Sequence, residues 1–495
     1  MSIISIQNLT FGYDCSYDNV FENVSFQIDT DWKLGFTGRN GRGKTTFLKL
    51  LMGKYEYRGT ISSNMEFEYF PFDVNDKSQF AIDIIKEKAY LEDYNYWKIN
   101  KELSFLDIDE EILYRPFNSL SGGEQAKILL VSLFLKENSF LLIDEPTNHL
   151  DIKAREIVSN YLKNKKGFIL VSHDRNFLDN CIDHILSTNK TNIEVQKGNF
   201  SSWHENKQRQ DNFEIAKNEK LKKDIERLES SAKQSANWSN KVEKSKNGTR
   251  NSGLRPDRGY IGHKAAKMMK RSKNVEARKQ SAIEEKSNLL KNIENASELK
   301  IHFLKHASTR LLSLKGVSLF YGSKEICSNI SFEVNQGDRI ALCGKNGCGK
   351  STILKFINGN DKIKSTGNFE KASNLKISYV SQDTSYLKGN LSDFAKSENI
   401  DESLFKTILR KLDFSRTHFE KDISDFSGGQ KKKVLIAKSL CEQAHLYLWD
   451  EPLNFIDILS RIQIEDLILK FRSTILFVEH DKTFSEKIAT KILKI

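Results

Sequence analysis

Two nine-residue stretches carry glycine, lysine and hydroxyl residues in one order: Gly38-Arg39-Asn40-Gly41-Arg42-Gly43-Lys44-Thr45-Thr46 and Gly344-Lys345-Asn346-Gly347-Cys348-Gly349-Lys350-Ser351-Thr352. Both fit G-x-x-x-x-G-K-[ST]. The glycines let backbone N–H groups curl around phosphates at a helix start, the lysine neutralises β/γ oxygens and the hydroxyl ligates Mg²⁺. Farther on, the apolar runs Phe140-Leu141-Leu142-Ile143 and Leu446-Tyr447-Leu448-Trp449 deliver the acidic pairs Asp144-Glu145 and Asp450-Glu451. The aspartates suit Mg²⁺ binding and the glutamates suit polarising a water that attacks a phosphate. A third pair of apolar runs ends in His173 and His480, 28 and 29 residues after Glu145 and Glu451. A lone histidine at a strand end is usually structural; two at matching positions suit sensing a γ-phosphate. Ser121-Gly122-Gly123-Glu124 and Ser427-Gly428-Gly429-Gln430 each precede a helical pattern, where a helix start is another anion site.

Gly38, Ser121 and Asp144 recur as Gly344, Ser427 and Asp450 at one offset of 306 residues. That period is too long for a solenoid unit and predicts two homologous ATPase domains in tandem. Each half must place its loop between a strand and a helix. The runs Ile4 to Leu9, Val20 to Ile28 and Leu34 to Thr37 read as strands in the first half. Leu311 to Leu319, Ile326 to Val334 and Ile340 to Cys343 read so in the second. Residues 73–117 and 383–425 read as mainly helical insertions. The fold expected is α/β, with two P-loop domains at 1–203 and 301–495 joined by a helical linker at 204–300.

The linker holds the charge. The 495-residue chain is formally +11, and residues 233–279 alone carry 14 Lys/Arg against 3 Asp/Glu, so the rest is close to neutral. Such a run is either a solvated helix face or a polyanion contact, and its concentration at one place favours the second. Leu221, Ile225, Leu228 and Ala232, and later Ile283, Leu290 and Ile293, form narrow apolar seams that two antiparallel helices could share. Gly248, Gly253, Pro256, Gly259 and Gly262 mark a tip loop within 247–262. The candidates for that polyanion contact are Lys241, Lys244, Lys246, Arg250, Arg255, Arg258, Lys264, Lys267, Lys270 and Arg271. Six scattered cysteines without a C-x-x-C pair favour a reducing compartment. No leader pattern at Met1 and no long apolar stretch lead to the expectation of a cytoplasmic protein without membrane spans. The end at Ile495, just past the last strand pattern, leads to the expectation of no C-terminal extension.

The motif set resembles the ABC ATPase superfamily, including a D-loop at Asn148-His149-Leu150-Asp151 and Asn454-Phe455-Ile456-Asp457. Two cassettes, a charged helical linker and no transmembrane domain resemble its ABC-F class of ribosome-binding translation factors. Trp32-Lys33-Leu34-Gly35, Arg115-Pro116-Phe117 and Trp449-Asp450-Glu451-Pro452-Leu453-Asn454 are similar to the Lsa-type antibiotic-resistance proteins. The resemblance implies cassettes that close head to tail on two ATP with Mg²⁺ in a monomer. Site one would join Lys44, Thr45, Asp144, Glu145 and His173 to Ser427–Gln430. Site two would join Lys350, Ser351, Gln382, Asp450, Glu451 and His480 to Ser121–Glu124. Tyr13 and Tyr321 fall where the family stacks an aromatic on adenine. The implied partner is the bacterial 70S ribosome, with 23S rRNA and P-site tRNA, and the implied role is protection against lincosamides, pleuromutilins and streptogramin A.

One residue departs from the family pattern. Gln382 stands where a Mg²⁺- and water-orienting glutamine is expected, but the first half has Phe72. Either site one hydrolyses slowly and clamps ATP, or Phe72 is a packing change. Two other functions compete: a housekeeping factor acting on stalled or idle ribosomes, and the soluble ATPase subunit of a transporter.

Overall fold

The structure, a computed structural model, describes residues 2–13, 19–92, 95–148, 150–188, 192–244, 304–345, 347–471 and 473–495, with isolated helical positions between 263 and 277. It divides into two compact units, Met1–Trp203 with Glu298–Ile495, and His204–Ser297. The first unit contains one α/β architecture twice. In the first half, six strands lie in the order Glu66–Phe70, Ser139–Asp144, Phe168–Val171, Lys33–Thr37, His184–Thr188, Ile193–Lys197. All neighbours are parallel except the last pair. In the second half, five parallel strands follow the same order: Ile377–Val380, Leu446–Asp450, Ile475–Val478, Arg339–Cys343, Lys491–Lys494.

The apolar runs have no polar face because both faces of these sheets are covered. Side chains alternate between two cores. Phe140, Leu142, Ile169 and Val171 pack with Phe36 and Phe47 toward the antiparallel sheet formed by Ile3–Phe11 between Phe21–Asp29 and Arg58–Ser62. Leu141, Ile143, Phe168 and Leu170 pack on the other face with Leu103, Ile128 and Leu162. The second half repeats the split, with Leu446, Leu448 and Leu476 on one face and Tyr447, Trp449 and Phe477 on the other. Its antiparallel sheet is Arg310–Tyr321 between Lys324–Asn335 and Ile363–Lys371. The polar end of the buried Trp449 is satisfied by a bond from Nε1 to Ser439 Oγ at 3.0 Å.

Between glycine loop and Ser-Gly-Gly turn, the first half carries helices Ala81–Ala89 and Tyr96–Phe105, and the second carries Leu391–Ser397 and Glu402–Lys411. The other unit is entered by one 45-residue helix, Phe200–Lys244, about 67 Å long at ~1.5 Å per residue. Lys267 and Lys270 are helical and exposed, as is Lys273. The tip loop 247–262, together with Lys246, Arg250, Arg255, Arg258, Lys264 and Arg271, lies outside the described residues. So do the side chains of the seam residues and of Lys241 and Lys244. Among the described residues, no helix is long and apolar enough to cross a membrane.

Candidate functional site

Parallel strands bring their carboxyl ends to one edge of the sheet, where ligands of open α/β sheets bind. Asp144 is level with Val171, and Asp450 with Val478, so each acidic pair ends beside the strand that leads to His173 or His480. The glycine loops leave the neighbouring strands and enter helices Lys44–Leu51 and Lys350–Ile357. Gly43 caps the first of these helices at φ 80°, and a Cβ there would stand 2.5 Å from Val20 Cγ1. Glycine is required both for the left-handed turn and for that approach. Lys44 Nζ donates to the carbonyls of Gly38 at 2.7 Å and Arg39 at 3.1 Å, and Lys350 Nζ to those of Gly344 and Lys345, both at 2.8 Å. Burial pushes the Lys44 ammonium below its ordinary pKa, against the pull of Asp457, Glu145 and Asp144. An anion entering the loop would offset the burial that disfavours this ammonium.

The metal ligands expected from the sequence come together in both halves. Thr45 Oγ1 donates to Asp144 Oδ2 at 3.0 Å, and Ser351 Oγ to Asp450 Oδ1 at 2.8 Å. Tyr69 and Tyr379, which the sequence reading passed over, donate to Asp144 Oδ2 at 2.9 Å and to Asp450 Oδ2 at 3.5 Å. Their matching place at two strand ends was the available signal. These donor sets are all oxygen, which fits Mg²⁺. Thr45 with Asp144, and Ser351 with Asp450 and Gln382, would hold it. When bound it supplies charge neutralisation at the β/γ-phosphates.

The two glutamates share a backbone and differ in surroundings. Both adopt left-handed φ, 51° at Glu145 and 47° at Glu451, a strain of about 1–3 kcal/mol each of the kind held at functional sites. Their N–H groups are anchored on Val171 O and Val478 O. Glu451 Oε2 accepts from Gln382 Nε2 at 2.8 Å and from Asn454 Nδ2 at 2.6 Å, and His480 Nε2 lies 3.4 Å from Oε1. Burial raises the Glu451 pKa, but His480, Asn454 and Lys432 outweigh it and hold the carboxyl below its ordinary value. At Glu145 the first-half counterpart of Gln382 is Phe72, half-buried against the apolar core with Lys88 Nζ 4.9 Å from its ring centre. Glu145 Oε1 is buried with no hydrogen bond, His173 Nε2 standing 3.4 Å away. Burial, then the charge of Asp144, push Glu145 up to about 8. Burial and Lys44 keep His173 neutral, well below the usual imidazole range.

The first loop lies against the second Ser-Gly-Gly turn. Asn40 Nδ2 donates to Phe455 O at 2.8 Å, a Cβ on Gly429 would come within 3.2 Å of that Nδ2, and Arg39 pairs with Asp413 at 2.6 Å. Ser427 with Gln430, and Ser121 with Glu124, form capping boxes that start helices Gly428–Cys441 and Gly122–Phe134. Asn346 and His149, the counterparts of Asn40 and Phe455, lie outside the described residues. Tyr13 and Tyr321 both stand exposed, and the Tyr13 OH bonds Thr46 Oγ1 at 2.7 Å. Sequence reasoning also missed a buried pair of Lys433 with Asp457 at 3.0 Å. Two residues 24 apart on different elements leave no periodic trace.

The sequence pattern of the ABC transporter family matches residues 21–148 and again 327–454. The chain is 28% identical over 514 residues to the ATP-binding protein Uup of Buchnera aphidicola subsp. Schizaphis graminum, across 99% of this chain and 80% of that one. It is 27% identical over 499 residues to the ribosome protection protein VmlR of Bacillus subtilis, across 98% of this chain and 85% of that one. The solved complex of archaeal ribosomal stalk protein aP1 with archaeal ribosome recycling factor aABCE1 shares the fold, with TM-score 0.61 and 18% identity over 98% of this chain and 87% of that one. Two copies of the family pattern, each spanning a glycine loop, a Ser-Gly-Gly turn and a carboxylate strand, place the chain in the ABC transporter family, as two ABC ATPase domains in tandem.

Proposed function

We propose that the chain is an ABC-F-type ATPase that binds the bacterial ribosome and protects its peptidyl-transferase centre from lincosamides, pleuromutilins and streptogramin A. The observation that carries this reading is the location of the charge: residues 233–279, between two ABC ATPase domains, alone carry a net charge equal to the chain's +11. Its similarity to VmlR, named a ribosome protection protein, supports the same reading. The working parts are a first cassette at 1–203, a basic hairpin at 204–300 with its tip at 247–262, and a second cassette at 301–495. ATP closes the cassettes within one cytoplasmic monomer, and the hairpin enters the tRNA exit site against 23S rRNA and P-site tRNA. Lys267 and Lys270, with the other basic candidates, neutralise backbone phosphate, and RNA is recognised mainly by shape.

Hydrolysis then releases the protein. Glu451, ionised and held by Gln382 and Asn454, polarises the attacking water at site two. Glu145 is protonated at neutral pH and lacks that support, so site one turns over slowly and clamps ATP. A second reading, a translation factor without drug protection, stays in view because Uup, as similar to the chain as VmlR is, is named only an ATP-binding protein. Drug susceptibility of a sensitive bacterium expressing the chain separates them. The intact chain should raise resistance, and both the Glu145→Gln/Glu451→Gln double variant and a deletion of 247–262 should abolish it. No protection by the intact chain sinks the resistance reading.

A further inference from the structure

The two cassettes meet behind the ATP sites at two places related by the duplication, and the two are built differently. Beside site one, Arg175 begins helix Arg175–Cys181, two residues beyond His173. It donates from Nη1 and Nη2 to both carboxylate oxygens of Glu465, which belongs to helix Ile458–Phe471 of the other half. Glu465 has no exposed surface and Arg175 is buried. Lys487 Nζ adds a third bond to the same carboxylate at 3.0 Å. Within this cluster only Arg175 Nε lacks a partner.

Beside site two the corresponding position to Glu465 is Ser159, whose buried Oγ has no partner. It borders a cavity of about 20 Å³ also lined by Arg155, Asn176, His480 and Lys482. Lys482, two residues beyond His480, meets Glu156 at 3.4 Å with both side chains about half exposed. Arg155 Nη1 adds one bond to His480 O at 3.3 Å.

An exposed ion pair contributes little and is screened by salt. A buried carboxylate held by a guanidinium fork and an ammonium is costly to separate, because parting the halves strips it of its principal counter-charge. We infer that Arg175, Glu465 and Lys487 form a one-sided latch, so that the cassettes part first at site two while site one stays shut. Nucleotide leaves site two on each opening, and leaves site one only when the latch breaks. Arg175 is a positioning residue: it holds the segment that carries His173 and touches no reacting atom. The inference rests on the tandem ABC ATPase arrangement and not on the ribosomal reading.

The test follows release of labelled ATP with Mg²⁺ from the full-length Glu145→Gln/Glu451→Gln protein, without ribosomes. Release should show a fast and a slow phase, and adding Lys350→Ala should remove the fast one. Adding Glu465→Gln should speed the slow phase at least tenfold and leave the fast phase within twofold. Glu156→Gln should change neither by more than twofold. A single phase in the parent, or a slow phase unmoved by Glu465→Gln, or equal acceleration of both phases, overturns the latch. If far-UV circular dichroism shows that Glu465→Gln does not fold, Arg175→Lys, which keeps the charge but loses the fork, decides by the same criteria. Because no ribosome is present, a failed latch and a failed ribosomal reading give separate results.

Discussion

Replacing Glu145 and Glu451 by glutamine one at a time asks whether the two sites share the work. A positioned general base contributes about 10²- to 10⁴-fold, and glutamine keeps the shape while removing the basic lone pair. With its pKa near 8, Glu145 is about one-tenth ionised at pH 7, a handicap of about 1.4 kcal/mol before any loss of orientation. Glu451 lies below its ordinary pKa, so it is fully ionised there. Steady-state ATP turnover of the purified chain should therefore fall about tenfold or more in Glu451→Gln, the remainder being what site one supplies, and less than about twofold in Glu145→Gln.

The pH profile sharpens the expectation. Glu145 acts as a base only when deprotonated, and its raised pKa places that event near pH 8. In Glu451→Gln, where site one alone reports, the rate should rise about tenfold per pH unit from 6 to 7.5 and flatten above 8. In Glu145→Gln, where site two reports, the depressed pKa of Glu451 makes the profile flat over the same range. Equal losses from the two substitutions, or the same pH slope in both, would refute the assignment of a working base to site two and a protonated one to site one.

Gln382→Phe, which gives site two the residue that site one already has, should lower turnover about tenfold or more and raise the pH at which the profile flattens, because Glu451 loses a donor at 2.8 Å. Gly43→Ala forces a left-handed residue into contact with Val20 and Phe21; thermal melting should show a loss of at least about 1 kcal/mol, with nucleotide binding at site one lost. Replacing Lys267, Lys270 and Lys273 together by glutamine should leave ATP turnover unchanged while reducing the slope of log ribosome affinity against log salt by about 2 to 3. An unaltered slope would remove these lysines from the RNA contact.

The chemistry and its duplication are legible in local sequence patterns. Glycine spacing, a lysine, a hydroxyl and a carboxylate after an apolar run are local patterns, and each half had to fold strand, loop and helix around them for backbone reasons alone. Fully apolar strands such as Phe168–Val171 likewise announced a sheet covered on both faces. Phe72 announced that the halves differ, yet not in what sense. That emerges in three dimensions, because a carboxyl's pKa depends on every group that folding brings near it: Glu145 ends buried with its Oε1 unpaired, and Glu451 accepts from Gln382 and Asn454. The pairing of Arg175 with Glu465, 290 residues away, has no spacing rule to betray it. It exists because two helices of different halves are packed face to face, and burial makes one such contact strong while its exposed counterpart at Lys482 and Glu156 stays weak.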